Sequence, residues 1–391
     1  MTKYITFCAI FTALVLTETS VGAQSFFDDT TKTYAAPRLA KTPQAGVLLT
    51  WTEKDPSGMA AFCMASSGDA GHTFADKRVI YASTGIGGSR LMQPKVLFKK
   101  NGDMVAVFSN RSDTPTGKRS LDILFSVSNN NGVSWSAPQS VDADPTKGIV
   151  RGFYDAVVLP NDEIAVAYLK DVAGSTKHEE RDLRLVVTKN GVFTPERVID
   201  SVVCDCCNVS LLVDATGALQ VYYRDNNDDI RDMARLTSTD NAATFSKSAV
   251  VHTDNWKIKG CPHSGAVSGV FGNSALVTWF SGAANQPGIR LTTQEGKRLA
   301  ILSEPSAKNA TVSVLANTAV WLWEQNQGEA KVSQIGFKTL NAGTLSETVW
   351  VKNSENATNA SSVLFDKKMV LVYEVKKTGQ KTSIRRQTVD L

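Results

Sequence analysis

The most unusual chemistry in this sequence belongs to a group of cysteines. Cys204, Cys206 and Cys207 fall within four residues, and Cys261 follows later in a Gly-Cys-Pro-His segment that ends at His263. Thiolates combined with an imidazole suit copper(I) or zinc. The same residues could instead form disulfides, with three possible pairings among four thiols. Both interpretations stay open at this point, although an oxidising compartment favours disulfides.

A second group with possible chemistry consists of arginines, two of which are each followed by an aspartate near the cysteines. Guanidinium groups bind carboxylates through two parallel hydrogen bonds, so arginines that converge indicate a site for an anionic ligand. Arginines that merely close loops are the alternative interpretation. The candidates lie near the entries and exits of predicted strand pairs, and they are Arg38, Arg151, Arg224, Arg231 and Arg290.

Repeated β-hairpins must position these side chains. Residues 209–213 and 219–223 are apolar runs on either side of a turn at 214–217, which predicts a hairpin. Six further strand pairs follow the same pattern, and no stretch keeps the 3.6-residue apolar period of a long helix. The seven pairs begin near Pro37, Gln93, Tyr154, Asn208, Ser264, Ala307 and Asn359.

A short turn motif recurs between these hairpins, with the ideal form Ser-x-Asp-x-Gly-x-Thr-Trp. It occurs at residues 67–74 and 128–135, and again at 238–245, where Ala242 replaces the glycine. Units repeated at about fifty residues indicate stacked supersecondary structure, and four-stranded units around an axis form a β-propeller. We therefore predict an all-β protein with a six- or seven-bladed β-propeller, and the strand count favours seven. The last blade lacks a fourth strand, which residues 25–34 could donate.

Composition limits the partners and the compartment. The net charge of +4 is spread along the chain, which does not indicate nucleic-acid binding. Residues 1–23 combine Lys3, an apolar stretch and a small-residue site ending at Ala23, which predicts a signal peptide. No later segment approaches the ~20 apolar residues of a membrane span. We expect a secreted or periplasmic protein cleaved after Ala23, with residues 24–391 as a single propeller domain.

The recurring turn is the Asp-box, and its repetition resembles the sialidase (neuraminidase) superfamily of BNR-repeat propellers over essentially the whole mature chain. That resemblance implies an arginine cluster that binds the sugar carboxylate, an aspartate acid/base and a tyrosine nucleophile activated by a glutamate. Arg38 is similar to the family's first arginine, Arg224 to the second, and Arg290 could be the third. Asp55 falls where the acid/base is expected.

Two parts of the family pattern differ here. Asn208 stands where the activating glutamate is expected, and the nucleophile's strand contains no tyrosine, so Tyr154 would have to serve from another blade. A second resemblance is to exported bacterial BNR-repeat proteins that share a series of Cys-Asp-Cys-Cys, Tyr-Arg-Asp, Ile-Arg-Asp and Gly-Cys-Pro. Here that series runs from Cys204 to Pro262.

Two functional hypotheses follow. The first is a sialidase-like propeller that recognises, and could hydrolyse, an acidic glycan or another anionic ligand at an arginine-lined axial site without a cofactor. The second is a non-enzymatic metal-binding or scaffold propeller that would hold copper or zinc. Its ligands would be Cys204, Cys206, Cys207, Cys261 and His263. In the other interpretation, the cysteines of this group form disulfides.

Overall fold

Seven antiparallel sheets follow one another along the chain. The computed structural model describes residues 26–114, 119–172, 174–175 and 181–391, and each sheet in these ranges is built from consecutive strands. The architecture is a seven-bladed β-propeller, which confirms the predicted fold class and the count of seven. The expected signal segment at residues 1–23 lies outside the described residues. Within them, no helix has the length and apolarity needed to cross a bilayer.

The blades are numbered in chain order, and their strands run from the axis outward. Blade 1 contains β1 (Thr33–Lys41), β2 (Val47–Lys54), β3 (Ala60–Ser67) and β4 (Arg78–Ser83). A 3-10 turn at Arg90–Met92 precedes blade 2, which contains β5 (Lys95–Phe98), β6 (Met104–Asp113), β7 (Arg119–Ser128) and β8 (Gln139–Ser140). Blade 3 contains β9 (Arg151–Val158), β10 (Ile164–Asp171), β11 (Arg181–Lys189), β12 (Val192–Phe193) and β13 (Arg197–Val203).

The remaining blades repeat this plan. Blade 4 contains β14 (Ser210–Val213), β15 (Leu219–Arg224), β16 (Met233–Ser238) and β17 (Ala249–Val250). Blade 5 contains β18 (Val267–Phe271), β19 (Ser274–Ser281), β20 (Gly288–Thr293) and β21 (Arg298–Leu302). Blade 6 contains β22 (Lys308–Leu315), β23 (Thr318–Gln327), β24 (Val332–Asn341), β25 (Thr344–Leu345) and β26 (Val349–Trp350). Blade 7 contains β27 (Ala357–Phe365), β28 (Lys368–Val375) and β29 (Ser383–Asp390).

The second strand of each blade is the most deeply buried. In β2, β10 and β15 almost every residue is buried, although neighbouring side chains point to opposite faces. Each blade packs against a neighbour on both faces, so these strands are continuous apolar runs rather than alternating ones. The apolar runs identified the hairpins in the sequence for this reason.

Packing between blades closes the ring. Seven apolar clusters fill the seven spaces between adjacent blades, including the space between blade 7 and blade 1. That last cluster joins Trp51 and Leu49 of β2 to Val370 and Val372 of β28. Burial at about 25 cal/mol per Å² of apolar surface therefore stabilises every interface around the axis, the closing one included.

Residues 26–34, the described part of the predicted segment 25–34, do not form the expected fourth strand of blade 7. Blade 7 has three strands in the described chain, and β1, which begins at Thr33, pairs with β2 of blade 1. Residues before Thr33 instead place Phe26 and Phe27 against Trp51. The prediction was wrong because the apolar pattern of this segment serves side-chain packing and not strand pairing.

The recurring turns have the expected hydrogen bonds. Ser67 Oγ accepts from the Gly71 amide at 2.9 Å, and Asp69 accepts from the amide and hydroxyl of Thr73. The bonds from Thr73 lower the pKa of the Asp69 carboxyl well below its usual range. In the third copy Ala242 takes the glycine's place with φ of 65°, a left-handed conformation that costs an alanine about 1 kcal/mol.

Gly71→Ala tests the contact between the first blade and the last. Gly71 has φ of 84°, and an added Cβ would lie 3.0 Å from Cγ1 of Val370. We expect the variant to lose about 2 kcal/mol of unfolding free energy, roughly half from left-handed strain and the rest from crowding at blade 7. Gly102→Ala is the matched control, because φ is 92° and no atom of the described residues lies within 4 Å of its added Cβ. Equal losses in urea unfolding would contradict a specific contact with Val370.

Candidate functional site

The first strands of the blades enclose a cavity on the propeller axis. Its volume is approximately 320 Å³, and every blade contributes to its wall. This size is at the lower end of the range for small-molecule sites, which is about 300 to 1,000 Å³. The polar side chains that line it include Arg38, Arg90, Gln93, Lys95, Asp155, Asn208, Asn309, Asn359 and Ser361.

Left-handed residues bend the first strands as they approach the axis. Ala36, Phe153, Asn309 and Asn359 have φ between 51° and 55°, and the pairing of each strand with its neighbour shifts register at the same place. Two residues after each bend, a side chain lines the cavity, as Arg38 does after Ala36. An extra residue of this kind in one strand is a β-bulge, which re-aims the side chains that follow it.

Buried carboxylates of neighbouring blades hold two of these bends. Glu324 of β23 accepts from the side-chain amide of Asn309 at 2.8 Å and from the backbone amide of Asn359 in the next blade. Glu374 of β28 accepts from the backbone amide of Ala36 in blade 1 at 2.7 Å and from the Asn359 side chain at 2.7 Å. Burial raises the pKa of both carboxyls, and the hydrogen bonds from Asn359 act in the opposite direction. Each bend is therefore fixed across a blade interface.

Some of the charged groups that face the cavity pair with one another, and the charges that remain are positive. Lys95 Nζ lies 2.6 Å from Asp155 Oδ1, and Asp155 also accepts from the backbone amides of Ala156 and Leu211. Arg38 is half-buried and, within the described residues, forms no salt bridge. Arg90 is exposed and donates to the backbone oxygen of His263 at 3.1 Å. Two guanidinium groups, those of Arg38 and Arg90, are thus available to a ligand.

The other predicted arginines do not line this cavity. Arg151 is 1% exposed and binds Asp142, Asp122 and Asp144 through its guanidinium. Arg290 is 2% exposed and contacts Asp254 at 2.8 Å. These groups hold carboxylates and loops inside or between blades.

Arg224 and Arg231 are also buried. Arg224 donates to the backbone oxygens of Ser264, Phe280 and Arg231, and its guanidinium lies 4.9 Å from the Trp256 ring centroid. The guanidinium of Arg231 forms an ion pair with the Asp229 carboxylate, at 3.8 Å. Arg224 thus links the exit of blade 4 to the entry of blade 5, where Ser264 lines the cavity.

The two predicted catalytic residues occupy different places. Tyr154 lines the cavity and is 4% exposed, and its hydroxyl donates to the backbone oxygen of Gln93 at 3.2 Å. Burial raises the pKa of Tyr154 far above its ordinary value. Asp55 lies in the turn after β2, where its carboxylate accepts from Ser57 and from the Met59 amide, and the bond from Ser57 lowers its pKa. Asp55 does not line the cavity.

The cysteines converge beside the cavity. Cys204 Sγ lies 3.9 Å from Cys206 Sγ and 3.7 Å from Cys207 Sγ, in the link between β13 and β14. The Cys261 thiol is exposed and lies within 4.8 Å of Cys206 Sγ. All five cysteines of the described chain are free thiols. The His263 ring contacts the Cys261 backbone oxygen at 2.9 Å and belongs to neither group of possible ligands in that part of the chain.

Hydrogen bonds within this cluster separate the acidities of its thiols. The Cys204 sulfur is within hydrogen-bonding distance of the Cys206 and Cys207 sulfurs. These interactions lower the pKa of Cys204, and the Arg224 guanidinium acts in the same direction. The hydrogen bonds of Cys206 with Cys204 and Cys207 raise the pKa of Cys206. Burial raises the pKa of Cys207, whose sulfur accepts from the Ser264 amide at 3.4 Å.

Comparison with known proteins agrees with this architecture. Residues 87–276, a little under half of the chain, match the model of a family described as a BNR repeat-like domain. A protein of unknown function from Dyadobacter fermentans superposes with a TM-score of 0.55 at 12% identity, covering 93% of this chain and 96% of that one. Residues 87–276 therefore resemble a BNR repeat-like domain, and the chain has a sialidase-like propeller fold. A search of curated proteins found no match.

Two solved sialidases share the propeller fold of this chain. A Hadza microbial sialidase has a TM-score of 0.51 at 12% identity, and the match covers 92% of this chain and 66% of the sialidase. Trypanosoma rangeli sialidase has a TM-score of 0.52 at 13% identity, with 90% and 54% covered. The propeller thus spans about two thirds and about half of these enzymes, and the likeness concerns the fold alone.

Several residues of the site were missed in the sequence. Lys95 begins the first strand of blade 2, and Arg38 lies within the first strand of blade 1. A charged residue on a predicted first strand is a signal that could have identified Lys95. Glu324 and Glu374 each follow an apolar run on a second strand, as Glu53 does in blade 1. An acidic residue repeated at the end of buried strands indicates a buried, bonded carboxylate.

Arg151→Met and Arg38→Met should separate buried arginines from the ligand-facing one. Arg151→Met leaves Asp142, which is almost completely buried, without its closest cation, so we expect a loss of about 3 kcal/mol in unfolding free energy. Arg38→Met removes a half-buried side chain that forms no ion pair with any described residue, and it should change that free energy by less than about 0.5 kcal/mol. Urea unfolding followed by tryptophan fluorescence measures both, and similar losses would contradict the assignment.

Proposed function

We propose that this propeller binds a small carboxylated ligand, with an acidic sugar as the best fit, in the axial cavity. The observation that carries the proposal is Arg38, a half-buried guanidinium that lines the cavity without a salt bridge in the described chain. A guanidinium removed from water stabilises a carboxylate through two charge-assisted hydrogen bonds. Arg90 provides a second guanidinium group that lines the same cavity.

The charges around these arginines favour an anion over a neutral ligand. Asp155 is occupied by Lys95 and by two backbone amides, and Glu324 is 1% exposed and bonded to neighbouring strands. Burial raises the pKa of Glu324. This carboxyl therefore becomes protonated, and loses its negative charge, at a higher pH than an ordinary glutamate does. Asparagine and serine side chains complete the wall and suit the hydroxyl groups of a sugar.

The sialidase-like relatives support a sugar acid as the ligand class. Trypanosoma rangeli sialidase has been solved with 2,3-difluorosialic acid as a covalent intermediate, and that structure has a TM-score of 0.52 with this chain at 12% identity. Sialic acids carry a carboxylate on a compact ring, which matches a cationic cavity of approximately 320 Å³. The proposal is recognition without hydrolysis, because Tyr154 is bonded to backbone oxygens and Asp55 caps a turn outside the cavity.

Binding of sialic acid and of its methyl ester tests this function. We expect the acid to bind and Arg38→Met to weaken it about 10- to 100-fold, the usual effect of losing a hydrogen bond between charged groups. Isothermal titration calorimetry measures the affinities. The control is Arg78→Met, which alters an exposed arginine on the outer strand of the same blade. Equal binding of acid and ester, or an unchanged affinity in Arg38→Met, would reject the cationic site.

We also propose that the protein is exported after removal of its first 23 residues. The basis is the basic start, apolar stretch and small-residue site of that segment. Expression of the full sequence in a bacterium should yield a mature chain that begins at Gln24, and N-terminal sequencing of the periplasmic fraction measures it. A protein that retains Met1 and stays in the cytoplasm would contradict export.

A further inference from the structure

Three buried thiols form a cluster that is separate from the cores between blades. Cys204, Cys206 and Cys207 are 1%, 4% and 2% exposed, and Phe153 packs against them. Cys63, by contrast, lies within the apolar core between blades 7 and 1, where burial raises its pKa to about 12. A structural cysteine behaves as a small apolar side chain, as Cys63 does. Three thiols gathered around one point require another explanation.

The spacing of the sulfur atoms matches a metal-thiolate site. The separations from Cys204 Sγ are 3.9 Å to Cys206 Sγ and 3.7 Å to Cys207 Sγ, and all three sulfurs lie within 4.8 Å of one another. Metal-sulfur bonds of about 2.3 Å place sulfurs about 3.8 Å apart in a tetrahedral site and about 4.0 Å apart in a trigonal one. A disulfide needs about 2.05 Å. The thiols therefore surround a point that an ion could occupy.

The number of converging ligands distinguishes between metals. Cys204, Cys206 and Cys207 form one group in the described chain, whereas Cys261 groups with Cys206 and Asp205. The Cys261 thiol is exposed and lies 3.4 Å from Asp205 Oδ1. Structural zinc almost always takes four ligands. A set of three soft thiolates suits copper(I) better than zinc.

Nearby groups offset the charge of such a site. Three thiolates with one monovalent ion carry a charge of −2 in a buried position. The Arg224 guanidinium acts on Cys204 and Cys207, and Arg90 is within electrostatic reach of Cys207. The Ser264 amide donates to Cys207 Sγ at 3.4 Å. Two cations and an N–H donor stabilise negative sulfur where burial alone would oppose it.

We infer that Cys204, Cys206 and Cys207 bind one copper(I) ion as three thiolate ligands beside the axial cavity. The three thiols lose their protons to solvent as the ion binds, and no electron is transferred. The three copper ligands differ from the residues assigned to the sugar acid, so the two proposals are independent. Arg90 is the one residue named in both, and at the copper site it acts only as a nearby charge.

Reduced wild-type protein tests the inference directly. Copper(I) supplied anaerobically as its acetonitrile complex should bind with one equivalent per chain in competition with bicinchoninate. X-ray absorption at the copper edge should report three sulfur neighbours. This measurement needs no variant, so a folding defect cannot obscure it. Absence of retained copper, or a count of two or four sulfurs, would overturn the inference.

Variants assign the ligands. Cys206→Ser should weaken copper binding at least 100-fold, because two thiolates remain. Cys261→Ser should stay within about threefold of wild type, because Cys261 lies outside the group of three. Cys63→Ser, in the core between blades 7 and 1, is the control for loss of a thiol elsewhere. Thermal unfolding of the metal-free variants checks that each is folded.

Three results would contradict a copper(I) site. Zinc held by four sulfurs and lost in Cys261→Ser would assign a tetrahedral zinc centre. A mass two daltons below that of the thiol form, persisting under mild reductant with no copper uptake, would assign a disulfide. Equal loss of copper in Cys206→Ser and Cys63→Ser would point to non-specific binding. Failure of sialic acid to bind would leave the copper result unaffected.

Discussion

The structure depends on hydrogen bonds that hold the bent first strands across blade interfaces. A strand that turns towards the axis through a left-handed residue interrupts its own ladder, and the freed backbone amide needs a partner. Glu324 supplies one to Asn359, and Glu374 supplies one to Ala36. Because each acceptor belongs to the preceding blade, the shape of the cavity is a property of the ring and not of any one sheet.

Blade 4 also holds the entry of the next blade with a buried charged side chain, but that side chain has the opposite charge. Arg224 ends the second strand, as Glu324 and Glu374 come near the end of theirs, but it donates to the backbone oxygen of Ser264. The guanidinium is thereby committed to the next blade's entry loop and to the cysteine cluster beside it. Arginines in this propeller divide by burial, since those fully enclosed hold backbone or carboxylates and those near the axis remain accessible.

The fold was largely predictable, while the site was predictable only in part. Continuous apolar second strands and the turns at residues 67–74 and 128–135 are local signals, and they led to seven blades. The roles of Arg151 and Arg290 depend on Asp142 and Asp254, whose approach is set by the packing of whole blades. Local sequence gives an arginine's position on a strand but not which carboxylate reaches it. The proximity of Cys206 and Cys261 could be predicted from the sequence, because the entries of adjacent blades lie side by side.

The three-stranded blade 7 has a consequence for how the molecule behaves among copies of itself. In the described chain no strand pairs with the outer side of β29. Exposed strand edges of this kind recruit strands from other molecules unless charge or covering loops prevent it. Arg385 and Arg386 sit at the centre of β29 and donate to the backbone oxygens of Asn353 and His72. Two adjacent guanidinium groups make that edge a poor template for aggregation, so charge protects the side that a fourth strand would have covered.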